Sequence, residues 1–100
     1  MRYYFEWDPQ KAKANIQKHK VSFERACTIF KNPQALSIYD EEHSEKEDRW
    51  ITLGMDINGN ILVVVHTFDQ INENSCKIRI ISARKATKRE IKQYNEGLVK

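Results

Sequence analysis

The segment "IRIISARKATKREIKQY", residues 78–94, carries Arg79, Arg84, Lys85, Lys88, Arg89 and Lys92. Arginine presents a planar donor fork that stays charged and binds phosphate through two parallel hydrogen bonds. Arg79 on a strand and Arg84 at a strand-to-helix turn are therefore candidates for relieving charge on nonbridging phosphate oxygens. RNA cleavage needs that relief, a ribose 2′-hydroxyl aligned on the adjacent phosphorus, and proton transfer at either end. Each arginine also has an ordinary alternative. Arg79 can lay its stem on an apolar sheet with its head in water, and Arg84 can tie down a carbonyl or carboxylate.

Candidates for the proton steps compete with structural roles. Thr87 and Glu90 form a Thr-x-x-Glu capping box, where the helix N-terminus keeps Glu90 ionised and makes it a weaker acid than base. Tyr94 follows one helical turn later and fits a phosphate donor, a stacking ring or a core residue. His66 titrates in the useful range, but the expected hairpin pairs it with Ile51 beside Val64, which favours a core-edge histidine. His19 fits a helix C-terminal cap, and His43 sits among carboxylates. These histidines form no metal motif, and HExxH, clustered cysteine and calcium-loop spacings are absent from the sequence, so neither metal nor cofactor is expected. Trp50, on the expected open face of the sheet, is the better nucleobase platform, with Trp7 anchoring the first helix.

Charge is segregated along the chain. The net charge is +3, yet "DEEHSEKED", residues 40–48, holds six acidic residues and one lysine. Removing them from the 14 acidic and 17 basic residues leaves 8 and 16, a net +8 for the rest. Such a surface attracts polyanions at long range, although solubility alone can account for it.

The elements that must position these residues follow from local signals. Tyr3 to Glu6 reads as an edge strand. Asp8 as N-cap and Pro9 at the first helical position start a helix over residues 9–19, with Ala12, Ile16 and His19 on one face. Ser22 caps a second helix, in which Phe23, Ala26, Cys27 and Phe30 share a buried stripe and Val21 staples onto Ala26. That helix ends near Asn32 and Pro33. Around Asn58 and Gly59 a two-residue turn is expected to join two strands, pairing Leu53 with Val64, Ile51 with His66 and Met55 with Leu62 on a core face. Residues 69–75 read as a polar connection into the strand "CKIRIISAR". Ala86 and Ile91 staple the last helix, and Gly97 ends it.

With 100 residues, 40% apolar and 31% charged, the chain can build one core but not two, so one domain over 1–100 is expected, with function on its surface or in a shallow groove. Cys27 and Cys76 are far apart and fit free thiols in a reducing compartment. Neither a bilayer-spanning run nor a secretory leader is read in the sequence, which suggests the cytoplasm and no membrane contact.

Three segments in order, "FEWDPQKAKANIQKHKVSFERA", "DEEHSEKEDRWITLG" and "IRIISARKATKREIKQY", resemble the BrnT family, the toxin component of type II toxin-antitoxin pairs. The resemblance covers about residues 5–95. It implies a RelE-like α+β domain with helices packed on an antiparallel sheet and a C-terminal helix. It also implies a metal-independent endoribonuclease that inhibits translation, an RNA substrate, and a BrnA-like antitoxin that neutralises the toxin and brings indirect contact with operator DNA. The family pattern reaches Lys18, His19, Arg49, Trp50, Arg79, Arg84, Glu90 and Tyr94. Arg79, Arg84, Glu90, Tyr94 and His66 form the expected catalytic set, and Lys18, His19, Lys20, Arg49, Trp50, Lys88 and Arg89 the expected RNA contacts. Lys20 departs from the glycine usual in the family between His19 and Val21. A non-catalytic interaction module, or a co-repressor acting through a DNA-binding antitoxin, is the competing reading.

Overall fold

The structure, a computed structural model, describes residues 1–97; residues 98–100 of the expected domain lie outside the described residues. Strand β1 (Arg2–Glu6) leads to helices α1 (Pro9–His19) and α2 (Phe23–Thr28), then strands β2 (Leu36–Tyr39), β3 (Trp50–Met55), β4 (Ile61–His66), β5 (Asp69–Asn72) and β6 (Ser75–Lys85), and helix α3 (Lys88–Glu96). Two short 3-10 turns, Ile29–Lys31 and Glu41–His43, complete the described elements.

These strands form one six-stranded sheet in the order β1-β6-β4-β3-β2, with β5 beside the first part of β6. The α+β class is as expected, but the sheet is mixed rather than antiparallel. Strand β1 runs parallel to β6, Arg2 beside Ser75 through Glu6 beside Arg79, because it joins the edge from the far end of the chain, whereas the other neighbours pair antiparallel. Strands β2 and β5 are additional to the expected elements. The residues read as a polar connection contain β5, all four of whose residues are exposed, so no alternation of apolar and polar side chains marks it.

The capping signals form as expected. Asp8 accepts from the Gln10 amide at 2.8 Å, and Ser22 from the Arg25 amide at 3.1 Å. In the capping box Thr87 accepts from the Glu90 amide at 3.2 Å, and Glu90 from the Thr87 amide at 2.8 Å. The inward face of α1 differs from expectation: Ile16 is 46% exposed, and Asn15 is the buried residue. Asn15 turns inward because its amide can meet backbone that a hydrocarbon would strand. Its Nδ2 donates to the carbonyls of Val21 and Ala83 at 2.9 and 2.8 Å, and its Oδ1 accepts from the Ala83 amide at 3.1 Å. One side chain thereby fixes α1, the start of α2 and β6 together.

Helices α1 and α2 pack against β6 around Val21, Phe23, Ala26, Ile29, Leu62, Val64, Ile78, Ile80 and Ala83. Cys27 is half-buried, and burial, with the nearby Glu24 charge, pushes its thiol up to about 12. Gly54 lets the turn at Ile29 approach β3, since a Cβ there would stand 3.1 Å from that of Ile29.

The β3–β4 hairpin is shifted by one residue from the expected register: Leu53 faces Val63, Ile51 faces Val65, and His66 faces Trp50. Asp56 causes the shift. Its backbone amide donates to the Asn60 carbonyl at 2.8 Å, and its Oδ1 accepts from the Asn58 and Asn60 amides at 2.9 and 2.8 Å, which makes a three-residue loop with Gly59 at φ 85°. The helix-facing row is thus Thr52, Gly54, Leu62, Val64 and His66; Ile51, Leu53 and Met55, expected in the core, take the opposite face.

Candidate nucleic-acid interface

A bulge in β6 determines which cations share a surface. Val65 pairs with Ser82 but His66 pairs with Ile80, so Ile81 is the extra residue. Without it, Arg79 and Arg84 would point to opposite sides of the sheet; with it, both lie on the face away from α1 and α2. Four ladder positions separate them, about 13 Å between their Cα atoms at strand rise. Arg49 immediately precedes β3, one position before the Trp50–His66 pair. Thr67 exchanges backbone contacts with Arg79, its amide donating to the Arg79 carbonyl at 3.0 Å. Arg49, Thr67 and Arg79 thus form one cross-strand row on the same face.

Each of these cations has a carboxylate partner. Arg84 meets Glu90 fork to fork, Nη1 to Oε1 at 2.8 Å and Nη2 to Oε2 at 2.9 Å. The Arg84 guanidinium, ahead of the Thr87 amide, holds the Glu90 carboxyl at about 2, well below its ordinary value. Glu90 therefore has no proton to donate near neutral pH, and its lone pairs are committed to Arg84 and the cap. Arg79 pairs with Glu47, and Arg49 Nη2 lies 3.7 Å from the same Glu47 oxygen. Glu47 belongs to the acidic segment 40–48, set apart from the basic residues along the chain; the structure brings it beside two of the arginines.

The remaining candidates are dispersed. Tyr94 is 8% exposed and its hydroxyl donates to Asn32 Oδ1 at 2.7 Å; the same oxygen accepts from the Met55 amide at 3.2 Å. His66 is 2% exposed on the helix-facing side. Its Nδ1 donates to the Thr67 carbonyl at 2.8 Å, which leaves Nε2 to accept from the Thr52 hydroxyl at 2.6 Å, and Ser37 follows 2.7 Å from Thr52. Phe30 stands edge-on to its ring at 4.8 Å. Burial pushes the imidazole pKa down, so it stays neutral near pH 7. Trp50 shares the side of His66 and packs edge-on to Tyr39 at 5.4 Å; it does not lie on the arginine face. Lys18, His19 and Lys20 end α1, on the helix side of the sheet. Exposed Lys88 and Arg89 stand in the first turn of α3, next to the Arg84–Glu90 pair.

Sequence reasoning missed Glu47, Asn15 and Asn32. Glu47 carried no signal beyond its place two residues before Arg49. The two asparagines gave none, because what sets them apart is the backbone groups that other parts of the chain bring to them.

The sheet face away from α1 and α2 thus gathers Arg49, Arg79 and Arg84, side chains whose planar donor forks suit phosphate. The model of the family described as "Ribonuclease toxin, BrnT, of type II toxin-antitoxin system" matches residues 7–90, and the chain belongs to that family. The fold is similar to the crystal structure of the Brucella abortus ribonuclease toxin BrnT, with TM-score 0.57 and 22% identity over 88% of this chain and 100% of that one. No curated protein matches the chain.

Proposed function

We propose that the chain is a metal-independent endoribonuclease with a RelE-like mode of action, the toxin half of a pair, acting in the cytoplasm to inhibit translation. The observation that carries this reading is the bulged strand β6, which sets Arg79 and Arg84 on one face of the sheet in a chain of a ribonuclease toxin family. The 2′-oxygen attacks the adjacent phosphorus and gives up its proton, and the bond to the 5′-oxygen breaks as that oxygen takes a proton. A 2′,3′-cyclic phosphate and a 5′-hydroxyl result. Arg79 and Arg84 bind the nonbridging oxygens as charge builds on them. Glu90 positions Arg84, and Tyr94, through Asn32, steadies the backbone at Met55; neither touches RNA. Lys88 and Arg89 extend the contact along the backbone, and Arg49 joins it beside Arg79.

An antitoxin partner is implied by the family; a BrnA-like protein that covers the arginine face and carries DNA-binding to the complex fits that role. Purified free chain, with divalent metal chelated, is expected to cut defined RNA into fragments ending in cyclic phosphate, and the antitoxin to suppress the cutting. RNA left intact, both free and on translating ribosomes, would instead favour a non-catalytic partner of the antitoxin.

A further inference from the structure

Glu47 holds a position that a phosphate would fill more completely. Its carboxylate pairs with Arg79, yet lies 3.7 Å from Arg49 Nη2, too far for a hydrogen bond. Arg49 Nε is buried and has no hydrogen-bond partner among the described residues. A buried charged donor left unmet is costly, and the neighbouring carboxylate meets Arg79 through Oε1 without coming within hydrogen-bond range of Arg49. A tetrahedral phosphate presents more acceptor oxygens over a wider span, in the geometry that arginine forks match. Glu47 reaches the arginines from a segment of six acidic residues and one lysine, held by short local contacts. The Ser44 hydroxyl donates to the Asp40 carbonyl at 2.5 Å and accepts from the Arg49 amide at 3.0 Å.

We infer that Arg49 and Arg79 form a phosphate-binding site for the RNA backbone, occupied in the free protein by Glu47 as an internal substitute that the substrate must displace. The site rests on the proposed RNA-cleaving role and adds its control: the acidic segment is a strap that weakens binding of polyanions lacking enough contacts to displace it. A strand held also at Arg84 displaces Glu47 readily; an isolated phosphate or short oligonucleotide does so poorly.

The test is binding of a fluorescent 2′-O-methyl oligoribonucleotide, which lacks the attacking hydroxyl, measured by anisotropy. Glu47→Gln should tighten binding about fivefold to tenfold, whereas Glu41→Gln, the same charge change at an exposed position of the same segment outside the cavity that Glu47 and Arg49 line, should tighten it less than about twofold. Adding Arg79→Ala to Glu47→Gln should abolish the gain. Equal effects of the two glutamine variants, or no gain from Glu47→Gln, would overturn the strap. This readout is independent of cleavage. A Glu47→Gln gain in a protein that cuts no RNA would keep the phosphate site and reject the nuclease, and the converse pattern would do the reverse.

Discussion

Arg84 and Glu90 are joined by two parallel hydrogen bonds, at 2.8 and 2.9 Å, across the junction between the last strand and the last helix. The same carboxylate closes the capping box of that helix. Glu90 therefore couples the aim of the guanidinium to the start of α3, and removing it would affect both.

Its titration gives a signature. With the folded carboxyl at about 2 and an ordinary value of 4.5, the pair stabilises the fold fully above the ordinary value. That contribution is lost as pH falls through the folded value. Discounted for partial exposure, it amounts to about 2 kcal/mol. Urea unfolding should show Glu90→Gln less stable by that amount at pH 7, with the gap closing toward pH 2.

His66 predicts a separate acid-side effect. Burial lowers its pKa from 6.5, so the unfolded chain binds the proton more readily, and stability present above that value is lost as pH falls below it. Between pH 7 and pH 5 the parent protein should lose stability and His66→Ala should not. The substitution itself should cost about 3 kcal/mol, from the lost ring and the stranded Thr52 and Thr67 groups. Cleavage per folded molecule is expected to survive; selective loss of cleavage in a stable variant would place His66 in the chemistry.

Lys20 closes α1 with φ 60°, in the left-handed region that a side chain adopts at a cost. This is the position where a glycine was expected from the family. Lys20→Gly should raise stability by about 1 kcal/mol, measured by thermal or urea unfolding, with RNA cleavage unaltered.

How much of this was legible in the sequence depended on how local each signal is. Asp8, Ser22 and Thr87 cap their helices as read, because a cap involves only residues two or three apart. The hairpin register was misread by one because Asp56 folds its own turn, and the Asn58–Gly59 pair alone does not show loop length. That single step moved Ile51 and Leu53 off the core face and Trp50 off the arginine face.

The candidate site was legible in its cations and not in their arrangement. Arg79 and Arg84 differ by an odd number of residues, which in a regular strand puts them on opposite faces; only the bulge at Ile81 reunites them, and nothing in "IRIISARK" marks it. Tyr94 and His66 carried chemistry by type, but their partners, Asn32 and Thr52, come from distant segments. Glu47 was hidden inside an acidic run whose other carboxylates, Asp40 apart, are exposed.

Single-turnover cleavage of a defined RNA at saturating protein, with metal chelated, compared among the parent, Arg79→Ala and Arg84→Ala, tests the catalytic placement most directly. Each substitution should slow cleavage at least about a hundredfold at saturating protein, while the folded spectrum and antitoxin binding remain, because the lost contact strengthens as charge builds on the phosphate in the transition state. Cleavage by both folded variants at the parental rate would contradict the placement of the chemistry on the arginine face of β6.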